Sequence, residues 1–278
     1  MTAPLLEVED LRVRFAVSEG VVEAVRGVSF TLHRERLGIV GESGSGKSQT
    51  GRAILGLTAK PGEVSARRLA FDGIDLLTAS PRERRALRGS RMTMVMQDPR
   101  YSLNPVMTVE QQIVEAYRAA KPVSKRAARA AALAMLEAVQ IREPGRVMAL
   151  YPHELSGGMG QRVMIAMMLI TDPDLLIADE PTSALDVSVR IEVLRILDRL
   201  VSTRGMGLIL ISHDLELVAS FCDRILVMYA GRVVEELASG ALSEARHPYT
   251  RGLIGCLPRL SGDSHPLPVL SRDPGWAL

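Results

Sequence analysis

Cysteine is nearly absent from the chain. Cys222 and Cys256 are the only two among 278 residues, too few for a disulfide framework or a four-thiolate metal site. They fit a reducing compartment. Long apolar runs are lacking too, since none approaches the roughly 18 residues that span a bilayer. Residues 1–14 carry Glu7, Glu9 and Asp10 where a signal peptide needs an apolar stretch. The chain therefore reads as soluble and cytoplasmic. No excess of one charge exists, because 34 Lys+Arg stand against 32 Asp+Glu. A balance of +2 does not announce a nucleic-acid binder, although a pI near 8.7 leaves room for a local basic patch. Aromatics make up only 4%. The mean hydropathy of +0.12 comes instead from Leu, Val, Ile, Ala and 13 Met. A large aliphatic core explains most of it, with Met-rich contact surfaces as a second source. This composition excludes disordered, collagen-like and small disulfide-stapled proteins.

What is present is alternation. Leu6, Val8, Leu11, Val13 and Phe15 are spaced roughly by two, and residues 25–32 repeat the pattern, so both read as strands. Residues 37–40 form a short apolar run ending in a glycine loop, as a buried parallel strand does. Residues 48–57 turn helical, and 69–71 and 92–96 look like further strands. From 100 to 155 the pattern changes. Residues 109–119 and 124–139 are Ala-rich with helical spacing, and no strand intervenes. Helix and strand then alternate: helix over 156–170, strand 174–178, helix 187–201, strand 207–211, helix 215–221, strand 224–228. Residues 229–232 look like a hairpin turn. The predicted fold is α/β, a mostly parallel sheet with right-handed crossovers and a helical insertion. The Pro-, Gly- and Ser-rich tail at 261–278 is expected to be loose.

Gly41-Glu-Ser-Gly-Ser-Gly-Lys-Ser48 matches G-x-x-x-x-G-K-[ST] between a predicted strand and a predicted helix. A triphosphate carries several negative charges that must be held without water. Glycines let backbone N–H groups turn inward around it, and the helix start adds partial positive charge. Lys47 reaches the β and γ phosphates, and the Ser48 hydroxyl ligates Mg²⁺. A flexible Gly/Ser turn is the plain alternative, and the strand–loop–helix context argues against it. Residues 175–180 form an apolar strand ending in Asp179 and Glu180. Successive side chains leave a strand on opposite sides. Asp179 then faces the Mg²⁺ shell while Glu180 points at the γ-phosphate and its water. Phosphoryl transfer asks for positioning and charge neutralisation, which these groups supply.

Leu155-Ser-Gly-Gly-Met-Gly-Gln-Arg162 opens a helix with Ser156 as a good N-cap and Met159, Val163, Met167 and Ile170 on one face. Gly157 and Gly158 leave bare N–H groups, a second potential phosphate-binding helix end. An ordinary capped helix is the alternative. One chain has two such starts but one loop lysine, so the second is expected to close over nucleotide held by another subunit.

At this point the set resembles the ATPase subunit of an ABC transporter. Residues 41–48 resemble its Walker A loop, 155–158 the signature, and 175–180 Walker B with Glu180 as catalytic carboxylate. Gln97 matches the Q-loop glutamine, a Mg²⁺ and water ligand. Ser183-Ala-Leu-Asp186 matches the D-loop, and His213 the switch histidine that contacts γ-phosphate. The resemblance implies catalytic roles for Glu180, His213 and Lys47. It implies nucleotide contacts from Gly41, Ser43, Gly44, Ser45, Gly46, Lys47, Ser48, Gln49, Gln97, Ser156, Gly157, Gly158 and Asp186. It implies Mg²⁺ ligation by Ser48, Gln97 and Asp179. Phe15 is either the aromatic that stacks on adenine or a core residue. The signature departs at Met159, where many families have Gln, and at Gly160. An interior helical Gly costs about 1 kcal/mol against Ala and predicts a softer first turn. The fold implied is a P-loop NTPase (RecA-like) core over 1–98 and 160–235, with an antiparallel β subdomain, a helical subdomain at 99–159 and an extension at 236–260.

Residues 97–105, 151–159 and 247–253 resemble the peptide/nickel importer group, closest to the D-type ATPase of oligopeptide and dipeptide systems, out to about residue 260. This implies ATP and Mg²⁺ as cofactors and a second ABC ATPase subunit, identical or a sister. It also implies two integral-membrane permeases and, indirectly, an extracytoplasmic solute-binding protein. The location would be peripheral, on the cytoplasmic face of the bacterial inner membrane. Some relatives carry a cysteine-rich C-terminal cluster; residues 261–278 have no cysteine, so no iron–sulfur cluster is expected. Nickel, metallophore, opine or glutathione cargo stays open beside peptides. Val106, Met107, Val109 and Ile113 either line a groove for a permease helix or form core. The basic run 82–91 has no interleaved aromatics, so a solvated face or a contact with anionic lipid is preferred to nucleic acid. The competing reading is a soluble ABC-type ATPase in DNA repair or translation. Such proteins usually carry paired cassettes, zinc modules or coiled-coil insertions, and this sequence shows none. A P-loop GTPase or small-molecule kinase would leave 155–158 and His213 without purpose.

Overall fold

The computed structural model describes residues 3–183, 185–257 and 274–277. The chain divides into two compact units, Met1–Ala79 with Ile209–Leu278, and Ser80–Leu208.

In the first unit, the strand Leu6–Val17 pairs antiparallel with Gly20–Leu32, Gly62–Ser65 and Arg68–Phe71, and Ile74–Asp75 extends the sheet. Leu6, Val8, Leu11 and Val13 are all buried, although the step from Val8 to Leu11 is three residues rather than two. An inserted residue accounts for it. Asp10 sits at φ 51°, and the pairing with Gly20–Leu32 shifts between Val8 and Leu11. This bulge restores the phase of the apolar face and leaves the Asp10 carboxylate to accept from Arg12 at 2.8 Å.

The same unit carries strands of the second sheet. Arg36–Val40, buried beyond its first residue, lies parallel to Arg224–Tyr229. Arg224–Tyr229 pairs antiparallel with Arg232–Ala238 across the expected hairpin turn. Gly207–Ser212 follows Arg36–Val40 in the order of this sheet. Parallel strands buried on both faces read as apolar runs, which is why these segments stand out in the sequence. Burial and the adjacent Asp223 push the Cys222 thiol up to about 12, so it packs rather than reacts.

In the second unit, Met92–Val95 and Leu175–Asp179 pair parallel, with Val95 opposite Ala178. Every element described between them is helical: Pro99–Ser102, Val109–Ala120, Lys125–Ala138, Pro144–Val147, the 3-10 turn Pro152–Glu154 and Gly157–Leu169. Three starts are fixed by side chains, Thr108 accepting from the Gln111 N–H, Ser124 from the Ala127 N–H and Ser156 from the Met159 N–H. The four apolar residues near 106 divide. Val109 and Ile113 are fully buried core, whereas Val106 is 78% exposed and borders an open groove with Met107 and Val114. The first part of the basic run lies in the helix Pro81–Leu87, started by a Ser80–Glu83 capping box, and Arg88 ends that helix in extended backbone.

Met92, Met94, Met135, Met148, Met164, Met206 and Met228 are buried. The aliphatic core thus takes up seven of the 13 Met, whereas Met96 is 37% exposed. Residues 258–273, most of the tail expected to be loose, lie outside the described residues. Pro274–Ala277 forms a 3-10 turn, and the Trp276 ring lies 5.8 Å from the rings of Tyr229 and Tyr249, so this end of the tail is packed.

Candidate active site

In the first unit, the buried strand Arg36–Val40 delivers the chain into residues 41–46, and the helix Lys47–Ile54 begins directly after. Gly46 is the N-cap at φ 99°, in left-handed backbone. A Cβ there would sit 2.4 Å from the Ala24 carbonyl oxygen, so only glycine fits. Gly46 has no side chain to cap the helix. At Gly44 a Cβ would meet nothing within 4 Å, so the outer side of the loop is open. An uncapped helix start beside an open loop is a seat for anions. Lys47 is only 5% exposed. Its ammonium donates to the carbonyl oxygens of Gly41 at 2.7 Å and Glu42 at 2.8 Å. Phosphate oxygens are stronger acceptors for an ammonium than peptide carbonyls, so the lysine is placed to exchange one for the other. Residues 42–45 with Tyr229 and Ala230 line a concavity of about 180 Å³. Gln49 Oε1 is buried without a hydrogen-bond partner among the described residues. This chemistry fits a bound polyphosphate.

Phe15 is half-buried, opposite Val22 and Gly62 in its sheet. Its ring lies over Gly62, where a Cβ would be 2.6 Å from Cε1. His213 follows Gly207–Ser212 and is exposed, just before the helix Leu215–Phe221 that Asp214 caps.

In the second unit, Leu175–Asp179 is buried at every position. Glu180 is half-buried and sits at φ 47°. Left-handed backbone at a residue with a Cβ costs about 1–2 kcal/mol, and it turns the side chain out of the strand's direction. The Glu180 carbonyl accepts from Ser183 N at 3.3 Å and Ser183 Oγ at 3.2 Å, which holds that turn. Gln97 follows the parallel neighbour Met92–Val95 and is exposed. Because Val95 stands opposite Ala178, Gln97 and Glu180 leave the same end of this strand pair.

Ser156 accepts from the Met159 N–H at 3.4 Å and starts the helix Gly157–Leu169. Gly158 lies under Val189, whose Cγ1 would be 2.7 Å from a Cβ. Ser156 and Gly157 share a concavity of about 520 Å³ with Asp98, Pro99, Leu155 and Leu185. The signature start thus lies beside the residues that follow Gln97. Asp186 caps the helix Val187–Arg204, accepting from Ser188 Oγ at 2.7 Å and Val189 N at 3.0 Å. These donors hold its carboxyl below the usual range.

Sequence reasoning missed Gln161. It is 1% exposed, and its amide donates to the carbonyl of Pro181, directly after Glu180. The signature helix is thereby fastened to the turn that carries Glu180. The available signal was a lone amide beside Val163, Met164, Ile165 and Ala166, since a buried polar group needs a partner.

Gly160, expected to soften the first turn, lies against Pro99, and an added Cβ would meet its ring carbons at 3.6 Å. That is ordinary contact. Gly160→Ala is therefore expected to stabilise the protein by about 0.5–1 kcal/mol and to raise Tm by about 1–3 °C in thermal unfolding. A lower Tm would mean that the Pro99 contact is tighter than it looks.

A family model described as ABC transporter matches residues 25–183, more than half of the chain. The chain belongs to the ABC transporter family. This ABC ATPase is 45% identical to the oligopeptide transport ATP-binding protein OppD of Haemophilus influenzae, over 98% of its own length and 84% of that protein. It is 44% identical to the dipeptide transport ATP-binding protein DppD of Bacillus subtilis, over 97% and 82%. Among solved structures, the ATP-binding cassette MJ0796, a dimer in a post-hydrolysis state bound to ADP and Pi, is similar with a TM-score of 0.74. The identity there is 26%, covering 84% of this chain and 98% of MJ0796. The cassette cbiO1 of Clostridium perfringens, part of the complex cbiONQ, gives 0.73 at 27% identity, covering 87% and 92%. The P-loop cassette fold that the motifs implied is the fold of this ABC ATPase.

Proposed function

We propose that this ABC ATPase binds and hydrolyses MgATP to power an importer of peptides or related small solutes. The observation that carries the reading is 44–46% identity, over nearly the whole chain, to proteins named for oligopeptide and dipeptide transport. In this reading the uncapped start of Lys47–Ile54 and the Lys47 ammonium hold the phosphates. Ser48, Gln97 and Asp179 ligate Mg²⁺ through oxygen, the donor type a hard cation takes. Glu180 orients the attacking water and His213 contacts the γ-phosphate. Phe15 stacks on adenine, and Asp186 adds a nucleotide contact to its cap. Ser156, Gly157 and Gly158 close over the nucleotide of a second ATPase subunit, a pairing supported by the dimeric state of MJ0796.

The same reading divides 1–260 into a core over 1–98 and 160–235, helices over 99–159 and an extension over 236–260. It places the chain peripherally, on the cytoplasmic face of the bacterial inner membrane, against two permeases supplied by a solute-binding protein. Among the described residues, no helix is long and apolar enough to cross a membrane. Two measurements test the proposal together. The full chain, isolated from its own cells, is expected to co-purify with two integral-membrane proteins and a second ATPase. Cells lacking it are expected to lose uptake of labelled di- and oligopeptides until it is restored. Co-purification with ribosomes or DNA, with uptake intact, would instead favour the soluble ABC-type ATPase.

A further inference from the structure

Tyr249 lies outside every nucleotide motif of the chain. It stands at the start of the helix Pro248–Gly255, where the Nδ1 of His247 accepts from the Tyr249 N–H at 3.2 Å. Its side chain is completely buried, and a buried phenol normally finds a hydrogen-bond partner. Here the partner is the phosphate loop: the Tyr249 hydroxyl accepts from the Glu42 N–H at 2.9 Å. On the other side of the same residue, the Glu42 carbonyl accepts from the Lys47 ammonium at 2.8 Å. Glu42 is thus held at its N–H by Tyr249 and at its carbonyl by Lys47.

The Tyr249 ring is itself fixed. Its centroid lies 4.6 Å from that of Tyr229 and 5.8 Å from that of Trp276. Tyr229 lines the concavity of loop residues 42–45. Two residues further on, the Gly231 N–H donates to the Ser45 carbonyl at 3.0 Å. The hairpin turn and the C-terminal helix therefore buttress the loop at two different peptide groups.

We propose that Tyr249 is a positioning residue for nucleotide binding, its hydroxyl holding the start of the phosphate loop in the shape that receives a triphosphate. The inference rests on the ATP-binding reading given above. When phosphate draws the Lys47 ammonium away, the Glu42 carbonyl keeps the Ser45 N–H at 3.2 Å, a bond within the loop, and the Tyr249 hydroxyl still ties the residue to the helix Pro248–Gly255. Without the hydroxyl, the loop spreads over other shapes. Apparent affinity falls by the fraction of molecules that no longer hold the competent one. Glu42 is half-buried, so its freed N–H can take water, and water replaces a hydrogen bond at little cost.

The test uses the full chain with Tyr249→Phe, which removes the hydroxyl and keeps the ring. ATP titration by calorimetry is expected to show Kd raised about 5- to 10-fold. Amide exchange at Glu42 in the nucleotide-free protein is expected to speed up about tenfold or more. Tm is expected to stay within about 2 °C of wild type. A merely structural tyrosine would lower Tm and leave both Kd and Glu42 exchange unchanged, and that result would overturn the proposal. If the wild-type chain failed to bind ATP, the ATPase reading would fall by itself. Glu42 exchange would then still decide whether Tyr249 anchors the loop.

Discussion

Glu180→Gln is expected to bind ATP as tightly as the wild type and to hydrolyse it about 10²–10³-fold more slowly, the usual cost of removing one group that stabilises a transition state. The side chain leaves a left-handed turn at φ 47°, whose carbonyl is held by both donors of Ser183. Glutamine has the same length and branching, so the turn and its hydrogen bonds stay. The change removes the negative charge and the oxygen able to take a proton from water. The Walker A loop and Lys47 are untouched, so affinity persists while turnover slows. Phosphate release at saturating MgATP, measured beside calorimetric ATP binding, separates the two. Turnover within about fivefold of wild type would be too small a loss for a group that orients the attacking water. In the proposed pairing, the variant also stays associated with its partner cassette in ATP, because reopening follows hydrolysis.

Legibility follows distance along the chain. The strand, glycine loop and helix over 36–54 are contiguous, and each segment constrains the next. The strands at 175–179 and 224–229 are read as easily, because their buried stretches 175–178 and 225–228 are unbroken apolar runs. The bulge in Leu6–Val17 is not legible, since alternation alone does not mark an aspartate at positive φ. The helix Pro81–Leu87 was legible in principle: Ser80-Pro-Arg-Glu83 is a capping-box pattern with proline at the first position. Its run of arginines draws attention to charge instead. At the site, the residue types of Lys47, Glu180, Ser156 and Asp186 declare themselves, because each sits at the end of a readable strand or the start of a readable helix. The bonds that fix the site do not. Gln161 reaches Pro181 across 20 residues and Tyr249 reaches Glu42 across 207. No periodicity links such pairs, and only the folded packing brings them together.

The second large effect is expected at Lys47. Lys47→Ala removes an ammonium that is 5% exposed and bonded to the Gly41 and Glu42 carbonyls. In the nucleotide-free protein those two carbonyls lose a donor at the edge of an open loop. Water can replace it, and Tm is expected to move by only about 3 °C or less. With nucleotide present the loss is larger. A hydrogen bond to a charged group is worth about 1.5–3 kcal/mol, and in the proposed reading the ammonium makes such bonds to the phosphates. ATP affinity is therefore expected to fall about 10- to 100-fold, with hydrolysis lost as well. Lys47→Arg is expected to recover little, because the broad planar guanidinium does not fit the buried space of a compact ammonium. Calorimetric titration of ATP and ADP into both variants checks this. ATP binding that survived Lys47→Ala at wild-type strength would mean that the helix start and loop N–H groups carry the phosphates alone.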